Sequence, residues 1–387
     1  MKRYGAATML ADRREQSMKV GYIVHDLNDG AVLRRVRMLQ AGGTKVRLAG
    51  FFRGDKVGPN AEAFDPVVLG RTEDAALTKR AVAVIGHAAR PGRLAVAFRD
   101  VDIVIARNLE SLGIARAMVG SRPLVYECLD IHRSLTGTGF ASRVVQRVEA
   151  ALLPRVDLLL TSSPAFCRAY FDQRPQLTAP TMLVENKLLV LGSSMPVPAP
   201  PPPAPPFVIG WFGMLRCRRT LTELSSLASR MAGRVQVLIA GKPSLAEFPD
   251  WNRQVTQVPH LSYVGPYTAA DLPQLYSRCH FAWTIDWFEE GLNSSWLLPN
   301  RLYEAQAFGV VPIVDAGVEV GRWLADAGTG LRLTDGTDEL TRVLTRLDAC
   351  TYASLRAAVA ALPQEQLIAT HEDANALVTR LAELRRS

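Results

Sequence analysis

The sequence predicts an α/β protein built from two Rossmann-like domains that face a cleft. The chain has 387 residues, enough for two domains at roughly 150 residues each. Short apolar runs alternate with segments of helical spacing, which is typical of parallel sheets covered on both faces. A proline-rich segment divides this alternation into two series.

The first series contains five predicted strands. They are the apolar runs 19–24, 45–51, 101–106, 123–128 and 157–161. Residues 31–41 lie between the first two strands and place Val32, Val36 and Leu39 on one face of a predicted helix. Residues 141–153 form another predicted helix. Both helices combine arginine with apolar positions, as interfacial helices do, although such apolar faces more commonly belong to a core.

The proline-rich segment predicts the domain boundary. Eight of the eleven residues from 196 to 206 are proline, a composition that excludes a helix or a central strand and favours an extended spacer. We therefore expect a flexible tail at 1–17, an N-terminal Rossmann-like domain at 18–195 and a linker at 196–206. A C-terminal Rossmann-like domain at 207–370 and a last helix at 371–387 follow.

The second series repeats the first. Its predicted strands are 207–212, 235–240, 261–264, 281–285 and 310–314, and its predicted helices are 220–232, 269–278, 299–308 and 320–327. The charged amphipathic stretch 372–386 is expected either to cap this domain or to pack back on the first one.

Composition excludes several classes of protein. The five cysteines form no C-x-x-C pair, so a reducing cytoplasm is expected rather than a disulfide framework. No run of 18 apolar residues predicts a membrane span, and the N-terminus does not resemble a signal peptide. The G-x-G-x-x-G fingerprint and the P-loop are absent, and the six histidines form no ligand cluster. We expect neither a bound cofactor nor a metal.

The positive charge is concentrated in the N-terminal half. Residues 1–199 hold 28 Lys and Arg against 18 Asp and Glu, whereas residues 200–387 hold 17 against 19. This asymmetry indicates an anionic partner, such as a membrane surface, nucleic acid or phosphates, although scattered surface arginine explains it equally well.

Two predicted strand ends in the second series carry cations. The run at 207–212 leads into Gly213, Met214 and Arg216, and the run at 235–240 leads into Lys242. Glycine at a strand-to-helix turn lets backbone N–H groups approach a phosphate, and an arginine can bind a diphosphate through two hydrogen bonds. Two neighbouring turns of this kind favour an anion site.

A third candidate segment begins a helix at Pro299, a natural first-turn residue. Arg301 and Glu304 are three residues apart and share one face of that helix. A cation near the first turn suits a diphosphate, and a carboxylate one turn later can accept from both ribose hydroxyls. An ordinary exposed Arg–Glu pair explains the same spacing.

These motifs resemble a known family. The Pro299–Glu304 run P-N-R-L-Y-E, which includes Asn300, is followed by G-x-x-P-I, as in the donor site of GT-B glycosyltransferases. More narrowly, the chain is similar to the ExoL-type and GumK-like enzymes that build bacterial exopolysaccharides on lipid carriers. The run from His25 to Leu39 matches the first strand–helix turn of that group, and the resemblance extends from about residue 19 to 332, excluding the proline-rich spacer.

The resemblance implies a UDP-sugar donor and roles for individual residues. Arg301 neutralises the diphosphate, Glu304 holds the ribose, and Gly265 to Tyr267, including Pro266, lie against the uracil. The loop residues Gly213, Met214 and Arg216 line the phosphates, with Lys242 nearby. The implied acceptor is a polyprenyl-diphosphate-linked oligosaccharide, so the protein is expected to be cytoplasmic and peripheral on the inner face of the membrane. The candidate membrane-contacting residues are Arg13, Arg14, Arg34, Arg35, Arg37, Arg143 and Arg147.

One departure from the wider family favours an inverting reaction. Many retaining GT-B enzymes carry a second glutamate eight residues before the ribose-binding one, and this position is Trp296. An inverting transfer needs a general base, and Asp130, after the strand 123–128, matches the base position of the GumK-like group. His132 and Glu127 are alternatives, and His25 and Asp26 could act as the base or hold sugar hydroxyls. For Asp130, a helix N-cap is the structural alternative.

The prediction is thus an inverting, metal-independent transfer of a hexose, either glucose or glucuronate, from a UDP-sugar. A retaining transferase and a UDP-sugar epimerase are enzyme alternatives on the same scaffold. A nucleotide-sugar or nucleic-acid binding protein is the alternative without activity, although nucleic acid is not the expected partner.

Overall fold

The computed structural model describes residues 17–72, 92–192, 195 and 199–385. Its contacts divide the chain into two units. Unit 1 comprises the chain up to Val184 together with the chain from Thr370 onward, and unit 2 spans Glu185–Ala369. The division falls before the predicted boundary at 195, and the predicted tail at 1–17 lies outside the described residues except for Ser17.

Unit 1 contains a seven-stranded parallel sheet. Its strands are β1 (Lys19–Val24), β2 (Lys45–Phe52), β3 (Val67–Arg71), β4 (Ile103–Arg107), β5 (Leu124–Cys128), β6 (Leu158–Thr161) and β7 (Thr181–Leu183). They lie in the order β3-β2-β1-β4-β5-β6-β7, and every neighbouring pair is parallel. The order reverses between β1 and β4, which is where ligands bind in sheets of this kind.

The helices of unit 1 cover this sheet. They are α1 (Gly30–Ala41), α2 (Pro59–Glu62), α3 (Gly92–Ala97), α4 (Asn108–Met118), α5 (Arg133–Thr136), α6 (Phe140–Leu152) and α7 (Pro164–Ala169). The C-terminal helix, which we number α16 (His371–Glu383), also belongs to this unit and packs on α1. Of the two placements expected for it, the structure therefore shows the one on the first domain.

Unit 2 repeats the architecture with six strands. They are β9 (Phe207–Leu215), β10 (Val235–Pro243), β11 (Leu261–Tyr263), β12 (Phe281–Trp283), β13 (Val311–Asp315) and β14 (Leu331–Leu333). The parallel order is β11-β10-β9-β12-β13-β14, with the reversal between β9 and β12. A separate two-stranded sheet pairs β8 (Leu188–Leu189) with β15 (Ile368–Ala369), which explains why residues from Glu185 onward group with this unit.

The helices of unit 2 are α8 (Arg218–Arg230), α9 (Trp251–Thr256), α10 (Leu272–Tyr276), α11 (Asn293–Trp296), α12 (Asn300–Ala307), α13 (Glu319–Ala327), α14 (Gly336–Arg346) and α15 (Ala349–Ala360). The described part of the proline-rich segment is bound to this unit, because His280 Nε2 donates to the Pro202 carbonyl over 2.8 Å. His280 Nδ1 accepts from the Val208 amide at 2.9 Å. The segment is therefore anchored on the side of unit 2.

Both units confirm the predicted fold class of two Rossmann-like domains. The cores lie between sheet and helices, as in the cluster of unit 2 that contains Phe207, Trp211, Leu224, Trp283 and Ile313. Continuous apolar strands of this kind are buried on both faces.

Candidate active site

The carboxyl ends of β9 and β10 run further than the sequence predicts. Gly213 pairs with Gly241 and Met214 with Lys242 inside the parallel ladder, so the prediction of turns at these residues is wrong. Both glycines have positive φ, +120° and +136°, and a Cβ on Gly241 would lie 1.8 Å from the Gly213 carbonyl oxygen. Only glycine permits this close approach, since an added Cβ would overlap the neighbouring strand. Met214 and Lys242 are both exposed at this edge.

Arg301 lies in the first turn of α12 and points to the end of β12. Its terminal nitrogen is 3.5 Å from the Thr284 carbonyl and 3.4 Å from the Ile285 carbonyl. The buried Nε has no hydrogen-bond partner within the described ranges. Buried donors normally have partners, so this nitrogen is a candidate contact for an anion. Pro299 is the N-cap of α12 and not its first helical residue, a shift of one position from the prediction.

Asp286 brings the two candidate arginines together. Its Oδ2 is 3.7 Å from the Arg216 guanidinium and 4.0 Å from that of Arg301. Arg216 also lies over the ring of Phe288, 4.5 Å from the ring centroid, and Asp286 Oδ1 accepts from the Phe288 amide at 2.9 Å. Sequence reasoning missed Asp286, although an aspartate just after an apolar strand was a signal that could have found it.

Glu304 is almost buried and lies one turn after Arg301. Tyr276 approaches its Oε2 at 3.4 Å. Burial raises the pKa of the Tyr267 hydroxyl, Glu304 raises it further and Arg301 lowers it, so the three groups act on one another. The structure therefore brings Arg301, Glu304 and Tyr267 into one neighbourhood. Gly265, which has φ +91°, and the exposed Pro266 precede that tyrosine, and Asn300 is the first residue of α12.

A cavity of about 180 Å³ lies beside the arginine pair in unit 2. Its walls include Asp286, Glu290, Asp315, Ser294 and Ser295, and among the described residues no lysine or arginine lines it. Trp287 forms an aromatic wall. Within the described parts of the chain, no three His, Cys, Asp or Glu side chains are grouped as metal ligands. The cavity is thus acidic and rich in hydroxyl groups.

In unit 1, Glu127 is fully buried at the end of β5 among three polar groups. It accepts from Arg35 Nε at 2.6 Å, from Arg107 Nε at 3.0 Å and from the Tyr22 hydroxyl. Burial opposes its ionisation, but Arg107 and Arg35 outweigh burial and lower the pKa to about 2. The interpretation of Glu127 as an alternative base is wrong, because a buried carboxylate held by two arginines is a poor proton acceptor.

His25 and Asp26 follow β1, where the sheet order reverses. His25 Nδ1 is 3.4 Å from the Asn108 amide nitrogen, and its Nε2 is 4.0 Å from Asp29 Oδ2. Burial lowers the pKa of His25 and raises that of Asp26. Asp26 Oδ1 accepts from the backbone amides of Asn28 and Arg53 at 3.0 and 3.2 Å, so this carboxylate organises the loop.

Asp130 is exposed and stands two residues after the end of β5. It is not the N-cap of the next helix, because that position belongs to His132, whose Nδ1 accepts from the Ser134 amide at 3.2 Å. Asp130 therefore lies at the carboxyl edge of the unit 1 sheet, and His132 Nδ1 caps the N-terminus of α5.

The candidate membrane-contacting arginines differ in their exposure to solvent. Arg35 is buried in the Glu127 network, so its proposed contact with a membrane is wrong. Arg37, Arg143 and Arg147 are exposed, Arg34 is partly exposed, and Arg13 and Arg14 lie outside the described residues. Among the described residues, no helix has the length and apolar character needed to span a bilayer.

Solved structures show where this architecture recurs. HepE from Anabaena in complex with UDP and glucose has a TM-score of 0.68 at 18% identity, covering 95% of this chain and 99% of its own. Sucrose-phosphate synthase from Thermosynechococcus elongatus has a TM-score of 0.65 at 14% identity, covering 95% and 98%. Identities this low show the shared fold alone. No family model matches the chain.

The two parallel sheets, each with one reversal of strand order, and the likeness to these structures show that the protein has the GT-B fold. The succinoglycan biosynthesis protein ExoL of Rhizobium meliloti (strain 1021) is 40% identical over 380 residues, which cover 95% of this chain and 94% of that protein. The chain belongs to the ExoL family, which confirms the resemblance found in the sequence.

Proposed function

We propose that the protein catalyses inverting, metal-independent transfer of a hexose from a UDP-sugar to a polyprenyl-diphosphate-linked oligosaccharide during exopolysaccharide synthesis. The observation that carries this proposal is the pair Arg216 and Arg301 on one carboxylate, Asp286, beside Glu304. The name of the ExoL relative, a succinoglycan biosynthesis protein, supports the pathway class. The complex of HepE with UDP and glucose supports a uridine diphosphate donor.

The donor diphosphate binds between the two arginines. Two guanidinium groups offer the geometry that phosphate oxygens require and balance the charge that develops as UDP leaves. In this site the two arginines neutralise the diphosphate charge that Mg²⁺ neutralises in other transferases. Glu304 accepts from the ribose hydroxyls, Pro266 and Tyr267 supply apolar surface for the uracil, and Met214 lies beside the phosphates.

The acidic cavity favours glucose over glucuronate as the transferred hexose. Asp286 belongs both to the arginine pair and to the cavity wall, so a sugar attached to the bound diphosphate is within reach of that wall. Sugar hydroxyls can donate to Asp286, Glu290 and Asp315. Asp286 and Glu290 are ion-paired with arginines, but carboxylate oxygens only accept hydrogen bonds, so these walls complement the hydroxyl groups of glucose and not the carboxylate of a uronate.

Asp130 is the proposed general base. Its carboxylate accepts the proton of the acceptor hydroxyl while that oxygen forms a bond to C1 of the sugar, and UDP leaves with the electron pair of the broken C1–O bond. Trp296, where retaining relatives carry a glutamate, is consistent with direct displacement. Exposure of Asp130 and the burial of Glu127 both favour this assignment over the neighbouring carboxylate.

The test replaces Asp130 by asparagine and measures transfer from UDP-glucose to lipid-linked saccharide in bacterial membranes. We expect transfer to fall at least about 100-fold, the range for a general base, with UDP affinity unchanged. Asp172→Asn, at another exposed aspartate of unit 1, is the matched control and keeps full activity. Full transfer by Asp130→Asn would show that Asp130 is not the base.

A further inference from the structure

The helix α6 (Phe140–Leu152) presents its apolar side chains to solvent. Phe140, Val144 and Val148 are 76%, 42% and 49% exposed, although they are spaced at four-residue intervals along one face. Ala151 lies on the same face and is also exposed. The orientation is unusual, because an amphipathic helix of a globular protein normally turns its apolar stripe to the core.

The opposite face of α6 carries the polar contacts. Glu149 is fully buried, accepts from Tyr170 at 2.5 Å and lies 3.4 Å from Arg174 Nε. Gln146 donates to the carbonyls of Leu135 and Gly137 at 3.0 and 2.9 Å. These contacts fix the rotation of the helix, so the exposed stripe is a stable feature of unit 1.

Basic residues flank the exposed stripe. Arg143 and Arg147 are exposed and lie side by side one turn apart at one border of the apolar face, and Arg133 is exposed on α5, which packs on α6. An apolar stripe bordered by arginines is the arrangement with which interfacial helices enter the boundary between lipid headgroups and acyl chains. The charge of this border complements anionic phospholipid headgroups.

We propose that α6 is the surface with which this protein binds an anionic lipid bilayer, its stripe Phe140–Val144–Val148 entering the interface and Arg143 and Arg147 contacting headgroup phosphates. This inference deepens the proposed function and rests on it for one point, that the acceptor is carried by a lipid. Gln146 ties α6 to the segment that follows Asp130 and His132. Binding through α6 therefore brings the proposed base segment close to the headgroups where a lipid diphosphate resides.

The test is sedimentation of the full-length protein with vesicles of phosphatidylglycerol and phosphatidylcholine. We expect binding to the mixed vesicles, and at least a tenfold weaker binding in the double variants Phe140→Asp/Val148→Asp and Arg143→Ser/Arg147→Ser. Val96→Asp and Arg116→Ser change an equally exposed valine and arginine of unit 1 and retain wild-type binding. Thermal unfolding and UDP affinity stay unchanged in every variant, because all these side chains are exposed.

Two results would overturn the proposal. One is equal vesicle binding by the wild type and both double variants. The other is a dimer of the wild type in light scattering that Phe140→Asp/Val148→Asp converts to a monomer, which would assign the stripe to a second copy of this chain. Vesicle binding without transfer from UDP-glucose would contradict the proposed function and leave the lipid-binding surface intact, so the two failures are distinguishable.

Discussion

Asp286 holds two arginines that would otherwise repel each other. A single carboxylate within 4.0 Å of both guanidinium groups keeps Arg216 and Arg301 in one place. These side chains have therefore already lost conformational entropy before a ligand binds, so binding loses less entropy than it would in a mobile site. A diphosphate carries enough negative charge and enough acceptor oxygens to bind both arginines together.

Glu304 provides a test of ribose recognition. We expect the protein to bind UDP about tenfold more tightly than 2′-deoxy-UDP, since a hydrogen bond to a charged group contributes about 1.5–3 kcal/mol. Glu304→Gln should reduce this preference, with Glu365→Gln, at an exposed glutamate of the same unit, as the control. Isothermal titration with both nucleotides makes the comparison. An unchanged preference in Glu304→Gln would contradict the ribose assignment.

Glu127 makes a prediction about stability. Glu127→Gln leaves Arg35 and Arg107 buried without their shared carboxylate, and removing one partner of a buried ion pair lowers the free energy of unfolding by about 3–5 kcal/mol. Because its pKa is lowered from 4.5 to about 2, this carboxylate stabilises unit 1 above pH 4.5, and the contribution is lost as the pH falls toward 2.

Chemical denaturation between pH 7 and pH 3 measures this effect. The wild type should lose stability with acid faster than Glu127→Gln does. Equal stability of the two proteins at pH 7 would show that the network contributes little.

The sequence predicted the grouping of the candidate residues in unit 2 better than that in unit 1. Arg301 and Glu304 were found because helical spacing alone places them on one face, whatever the surroundings. Glu127 was misinterpreted because strand ends contain both exposed and buried carboxylates, and only the positions of Arg35 and Arg107 distinguish them. These arginines lie far from Glu127 in the sequence, so no local pattern reveals the contact.

At the scale of elements, the central strands of unit 1 were predictable and its two edge strands were not. The strand β1 was predicted with the observed bounds, because its residues from Val20 onward are an unbroken apolar run that is buried. The missed strands β3 and β7 lie at the two sheet edges and are only partly buried. Their sequences combine apolar and polar residues, so periodicity gave no signal.

The close pairing of β9 and β10 gives a prediction at this scale. Gly241→Ala should lower the melting temperature more than Gly233→Ala does, although both positions have positive φ. The added Cβ meets the Gly213 carbonyl in the first case and nothing within 4 Å in the second. Differential scanning fluorimetry with and without UDP measures both variants, and we expect the response to UDP to weaken only in Gly241→Ala. Equal melting temperatures for the two variants would contradict this account of the strand pair.

At the scale of the whole molecule, charge and chain path distinguish the two halves. The positive excess lies in the N-terminal half, and unit 1 also carries the exposed arginines of α6. In unit 2, the proposed diphosphate site consists of a few arginines, and the C-terminal half of the chain to which it belongs is slightly acidic. The helix α16 belongs to unit 1, where Leu377 and Leu381 are fully buried, so the described segments 17–72, 92–184 and 370–385 form one unit. Sequence periodicity predicted this helix but did not predict which domain it packs on, because an amphipathic face does not specify the surface that covers it.

The account depends most on the claim of inverting transfer from UDP-glucose, and the configuration of the product tests that claim directly. The purified protein is incubated with UDP-glucose and lipid-linked saccharide, and the new glycosidic bond is examined by NMR. Since the donor is α-linked, direct displacement predicts a β-linked glucose in the product, absent when Asp130→Asn replaces the wild type. An α-linked product, or no glucose transfer by the wild-type protein, would contradict the account.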